Sequence, residues 1–271
     1  MKIKRVAICV LSRGYDNINH YNTLISRNIS IEKSLKHQKI NNYNFMILHE
    51  GNITENQQNF ISSKTPNLNI EYWNVKNTEP KTAFDDNKNV INNLCPPNWL
   101  TKNFSIGYRH MCYFWSIDFL EYFKDFDYVI RIDEDCIVDD FNLEIIEDME
   151  TDNLVFVSPM FQEQDVDLVI VGLENLRNEY ILENNLFNTT EFKQIKCPYT
   201  NFMIINVKEI NNNFKVKNFL NKVDSCGCIY SNRWGDLPIW GVILDTILDK
   251  TQYKEVKTIK YFHGSHNQKI N

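Results

Sequence analysis

The stretch DYVIRIDEDC, residues 127–136, carries a hydrophobic run that stops in three consecutive acids, Asp133, Glu134 and Asp135. Its aromatic and β-branched residues suit a pleated, buried strand. Strand side chains alternate between faces, so an extended backbone puts Arg131, Asp133 and Asp135 on one side and Ile130, Ile132 and Glu134 on the other. Two carboxylates that close repel each other. A divalent cation relieves the repulsion, and hard oxygen ligands suit Mg²⁺ or Mn²⁺. Such an ion would bridge to a diphosphate. A solvated turn after a strand is the plainer alternative, and the flanking sequence bears on the choice.

Upstream, KRVAICVLSR (4–13) reads as a buried strand and LISRNISIEKSLKHQ (24–38) as a helix carrying Leu24, Ile31 and Leu35. YNFMILHEG (43–51) reads as a second strand. Strand, helix and strand joined by short connections form a βαβ unit, which implies a parallel sheet with ligand chemistry at the carboxyl ends of its strands. NIEYWNV (69–75) supplies a third strand. Residues 77–104, with the Pro96-Pro97 pair, read as an irregular excursion. IGYRHMCYFWSIDFLEYF (106–123) follows as a core helix opened by Gly107, with His110, Tyr113, Ile117 and Leu120 on one face. Further strands are expected at 153–159 and 201–210.

With 271 residues, 43% hydrophobic and 13% aromatic, the chain can bury one substantial core, so a single domain over 1–271 is expected. A net charge of −6 argues against nucleic-acid binding, which needs a basic surface. VAICVL near the start is too short to span a bilayer, which gives the expectation of a soluble, cytoplasmic chain. Seven cysteines without scaffold spacing suggest reduced thiols.

In the last third, SNRWGDLPIWGVILD (231–245) reads as a turn leading into a helix with Pro238 in its first turn. His263, in IKYFHGSHNQ (259–268), is a residue type that can complete a carboxylate metal site. Arg13, Arg109 and Arg233 are candidate counter-charges for a diphosphate. Arg13 has the added merit of its place after the first strand. Tyr108 and Trp234 are candidates to pack on a sugar or base.

YRHMCYFWS (108–116), YVIRIDED (128–135), NRWGDLP (232–238) and IKYFH (259–263) are similar, in order and approximate spacing, to motifs of the family 15 α-mannosyltransferases. The resemblance implies an α/β GT-A-like domain with an open, mixed, mostly parallel sheet flanked by helices. It also implies a GDP-mannose donor, Mn²⁺ dependence and retaining transfer to a carbohydrate or glycoprotein acceptor. Asp133, Asp135 and His263 fall at the metal positions, Asp133 also facing the donor, and Asp236 and Asn201 at the catalytic centre. The family's Asn-Phe-Glu, whose Glu is a candidate nucleophile, is here Asn201-Phe202-Met203, and Glu134 stands where proline is usual. A thioether cannot act as a carboxylate nucleophile. That leaves open a front-face mechanism, another nucleotide-sugar donor, or a catalytically silent glycan- or nucleotide-binding module.

Overall fold

The structure, a computed structural model, describes residues 4–36, 43–76, 104–165 and 169–270. The excursion expected over 77–104 lies almost wholly outside the described residues. Strand β1 (Val6–Leu11) pairs in parallel with β2 (Tyr43–His49) across helix α1 (Asn22–Leu35), the expected βαβ unit. Leu24, Ile31 and Leu35 of α1 are buried as their spacing requires. Thr54 and Gln57 form a capping box that starts α2 (Glu55–Ser63), and β3 (Ile70–Asn74) then extends the sheet in parallel.

Helix α3 (Ile106–Tyr113) starts at Ser105, whose hydroxyl accepts the Tyr108 N–H, and runs through a π turn (Phe114–Asp118) into α4 (Phe119–Tyr122). The wider turn rotates the buried face. Phe114, Trp115 and Phe119 are buried, whereas Tyr113 and Ile117, expected on the core face, are half-buried. β4 (Tyr128–Ile132) lies beside β1 and is buried along its whole length. Its extended backbone ends there, because the Cys136 N–H donates to the Asp133 carbonyl and closes a turn into β5 (Cys136–Asp140).

The rest of the chain runs through α5 (Ile145–Thr151), β6 (Phe156–Ser158), β7 (Phe161–Gln162), α6 (Leu173–Glu183), β8 (Cys197–Pro198) and β9 (Phe202–Asn206). The strand expected over 201–210 stops at Asn206 because that side chain accepts the Glu209 N–H and caps α7 (Val207–Asn212). Then follow α8 (Phe214–Cys226), α9 (Cys228–Ser231), α10 (Asp236–Thr246), β10 (Tyr253–Glu255), β11 (Lys260–His263) and β12 (Gln268–Ile270).

The main sheet has the order β10-β6-β9-β4-β1-β2-β3, and β9 alone runs antiparallel to its neighbours. One face packs Cys9, Val129 and Met203 against Trp115, Phe119 and Trp240. The other packs Ile8, Ile130 and Ile204 against Ile31 and Ile146. Each such side chain contributes about 1.5–3 kcal/mol by leaving water. Gly241 lets α10 lie directly on β8, since a Cβ there would overlap the Cys197 sulfur. A small antiparallel sheet, β12-β11-β5, seats His263 opposite Cys136. Among the described residues no helix is long and apolar enough to cross a membrane, and Cys9, Cys112, Cys136, Cys197, Cys226 and Cys228 are free thiols.

At the end of β2, His49 is buried and its Nδ1 accepts the Gly51 N–H at 3.1 Å. Burial pushes its pKa below the ordinary 6.5. The neutral ring therefore contributes stability that is fully present above pH 6.5 and lost as pH falls through the lowered folded value. His49→Gln is expected to be less stable than the parent by about 1 kcal/mol at pH 7.5, with the gap narrowing towards pH 5 in urea unfolding.

Candidate active site

Three parallel strands carry their carboxyl ends to one edge of the sheet, and the acidic turn after β4 lies there beside the loop after β1. Arg131, at 2% exposure, organises it. Its Nε and Nη2 donate to the two oxygens of Asp133 at 2.7 and 2.9 Å, and its Nη1 donates to Asp236 at 2.5 Å. The guanidinium also lies over the Trp115 ring, 4.7 Å from its centroid. Burial would push its pKa down, but Asp133 and Asp236 more than offset that and hold it charged.

Asp135 and His263 meet on the other side of the turn. The β5–β11 register sets His263 opposite Cys136, and its Nε2 lies 3.5 Å from an Asp135 oxygen. The hydroxyl of Tyr199 engages the other ring nitrogen, Nδ1, at 2.6 Å, which fixes the ring with Nε2 towards the acid. The Ser265 N–H donates to Asp135 at 2.8 Å and its hydroxyl donates to the same oxygen. Burial pushes the Asp135 carboxyl up, yet the hydrogen bonds from His263 and Ser265 prevail and hold it well below the usual carboxylate range.

A carboxylate oxygen and an imidazole nitrogen in this arrangement fit one borderline-hard divalent cation such as Mn²⁺. Asp135, Cys136 and His263 place three ligand-type atoms within 4.8 Å of one another. Burial pushes the Cys136 thiol well above its ordinary value, and it donates to the Asn201 carbonyl, so the set reads as oxygen and nitrogen rather than sulfur. Asp133, expected as a ligand, is not in this group. Both its oxygens are taken by Arg131, because the two side chains project from the same face two residues apart.

Two adjoining cavities flank the turn. One, of about 480 Å³, is lined by Arg13, Tyr15, Tyr108, Glu134 and Asp135 among others. The second, of about 380 Å³, is lined by Asn201, Arg233, Asp236 and His263. Tyr108, Asp133 and Asp135 line both. Glu134 turns away from the cation position and accepts from Ser12 at 2.8 Å and from the Tyr15 hydroxyl at 2.7 Å, which ties the β1 loop to the acidic turn. Arg13 lies over the Tyr15 ring.

Arg233 donates to the Tyr108 hydroxyl at 2.9 Å and pairs with Asp165 at 3.2 Å. Its φ of 59° is left-handed, an uncommon conformation for a side-chain-bearing residue. Asn201 accepts from Tyr261 at 2.7 Å, while its buried Nδ2 has no hydrogen-bond partner among the described residues. Arg109 is not among the described lining residues of either cavity. One residue along α3 from Tyr108 it points about 100° away, and its guanidinium donates to the Tyr230 carbonyl outside both cavities. Trp234 is 1% exposed and donates to the Val171 carbonyl, and Met203 is buried in the core, so neither presents itself to a sugar.

Sequence reasoning placed Arg131 on the correct face without assigning it a role, although its position two residues before Asp133 was the signal. Tyr199 and Ser265 went unnoticed, since their roles arise from the β11 pairing.

This mixed sheet, with a carboxylate–imidazole pair at the end of a central strand, is that of a GT-A-type glycosyltransferase. The chain matches the glycolipid 2-alpha-mannosyltransferase family over residues 5–269, and it belongs to that family. It is 31% identical over 175 residues to a probable mannosyltransferase, MNT3, of Candida albicans (strain SC5314 / ATCC MYA-2876). That match covers 59% of this chain and 44% of the Candida protein, so the chain spans under half the length of that relative. In fold it is similar to core-mannan synthase A from Aspergillus fumigatus in an Mn/GDP form, with a TM-score of 0.74, 17% identity, and coverage of 95% of this chain and 74% of that one. The mannosyltransferase Ktr4p from S. cerevisiae gives 0.75, 17%, 95% and 70%.

Arg131→Met would leave Asp133 and Asp236 without their shared partner. It is expected to lower unfolding stability by about 3–5 kcal/mol, read as a drop in the denaturant midpoint at unchanged slope.

Proposed function

We propose that the protein transfers mannose from GDP-mannose to a glycan acceptor with retention of the anomeric configuration. The observation that carries the reading is the meeting of Asp135 and His263 at the junction of the two cavities. The Mn/GDP form of core-mannan synthase A and the GDP complex of Ktr4p support a GDP-linked donor here. In this reading the nucleoside occupies the cavity beside Arg13 and Tyr15, the diphosphate passes Asp135, and the hexose enters the cavity lined by Asn201, Arg233 and Asp236. Mn²⁺ held by Asp135 and His263 would neutralise charge on the departing diphosphate.

Arg13 and Arg233 add fixed positive charge at the two ends of that path. Asp236, oriented by Arg131, and the Asn201 amide are placed to hold sugar hydroxyls. With Met203 buried at the position of the resembling family's candidate nucleophile, the chemistry fits a front-face course. The bond from the anomeric carbon to phosphate oxygen breaks as the acceptor oxygen bonds the same face, and the acceptor's proton passes to a leaving phosphate oxygen.

Met203 also favours a second reading, a module that binds GDP and turns nothing over. Thermal unfolding tests the first half of the proposal. GDP at about a hundredfold excess over Kd with Mn²⁺ is expected to raise Tm by roughly 5–10 °C. Asp135→Asn is expected to remove the Mn²⁺-dependent part. Product NMR with GDP-mannose and a mannoside acceptor tests the second half: an α-linked product is expected, and GDP binding without turnover of any nucleotide hexose selects the silent module.

A further inference from the structure

A third cavity, about 1020 Å³, has no part in the donor chemistry above. It opens between α6 and the segment 188–193 and meets the second donor cavity at Asp165, which lines both. Asp165 pairs with Arg233 of the second cavity where the two meet. Its floor at Val171 is tied to the segment that leads into α10, since the Val171 carbonyl accepts from Asn232 at 2.9 Å and from Trp234 at 2.8 Å. A chain leaving the donor cavity past Arg233 would enter it directly.

The lining chemistry selects the class of ligand. Gln164, Asn175, Asn178 and Thr189 offer neutral donors and acceptors, and the buried Nε2 of Gln164 has no hydrogen-bond partner among the described residues. Acids outnumber bases around the cavity, and Arg177 is already engaged with Asp245 and Thr246, so an anionic ligand is disfavoured. Leu182, on the lining, is 77% exposed, and Phe187, beside the lining residue Asn188, is 93% exposed. An open ring and an aliphatic patch among amides and hydroxyls match a molecule with apolar C–H faces and many neutral hydroxyls. The volume lies at the upper end of the ~300–1,000 Å³ of ligand pockets, which exceeds the need of one sugar.

We propose that this cavity is a distal acceptor subsite that holds the preceding sugars of a neutral oligosaccharide while its terminal hydroxyl reaches the donor. The proposal rests on the glycosyltransferase reading of the donor cavities. It makes the acceptor a glycan chain rather than a single sugar.

Calorimetric titration of the full chain with methyl α-mannoside and with α-linked mannobiose, mannotriose and mannotetraose tests it, run alongside GDP with Mn²⁺. Affinity is expected to rise about tenfold or more from the monosaccharide to the tetraose. Asn178→Trp, on an exposed turn of α6, is expected to erase that gain, and Phe187→Ala to reduce it about fivefold, both with unchanged GDP binding. Equal affinity at all lengths, a length dependence that survives Asn178→Trp, or no oligosaccharide binding overturns the subsite. Loss of GDP binding in the wild type overturns the donor reading instead, and the oligosaccharide titration is read independently of it.

Discussion

One buried guanidinium sets the geometry of the whole edge. Arg131 sits at 2% exposure between an acid from the turn after β4 and an acid from the first turn of α10. Taking such a charge out of water costs several kcal/mol unless it is matched, so Asp133 and Asp236 are bound to it and to each other's position. Because α10 also lies flush on β8 at Gly241, the ion pairs lock sheet and helix into one register. The cavity walls inherit that rigidity. Asp135 is released by the same arrangement: Asp133 is held by Arg131, and the turn that follows carries Asp135 to the other side, where it faces His263.

The departures from the resembling family acquire physical content in this frame. Proline at position 134 could not accept the hydroxyls of Ser12 and Tyr15, whereas Glu134 anchors the loop that carries Arg13. Met203 stands opposite Arg131 in the β4–β9 register and is fully buried. A carboxylate there would enter an environment where Arg131 is already balanced by two acids. The strand is thus built for an apolar contact at this position.

Much of the scaffold was legible because local pattern and tertiary demand agree. The β1–α1–β2 unit follows from apolar runs and the spacing of Leu24, Ile31 and Leu35. The α3 face was half misread because a π turn breaks the 3.6-residue period between Tyr113 and Phe119, and nothing in IGYRHMCYFWSID marks the inserted residue. Residue type together with family resemblance named Asp135, His263 and Asp236 as candidates, and the fold brings Asp135 to His263 and Asp236 to Arg131. That Asp133 serves Arg131 and that Tyr199 orients His263 depend on which side chains the fold brings face to face. Arg109 illustrates the same limit, since its charge named it while its helical azimuth turns it to the Tyr230 carbonyl.

The pairing of β11 with β5 has a consequence for how the molecule is made. Ser265 meets Asp135 across 130 residues of sequence, and β11 follows the intervening helices in chain order. The early parallel half can close on the ribosome, but the imidazole arrives only after the intervening helices have emerged, and such distant pairings form slowly. Until β11 docks on β5, Asp135 lacks both His263 and Ser265, so the order of this edge reports that the pairing has formed.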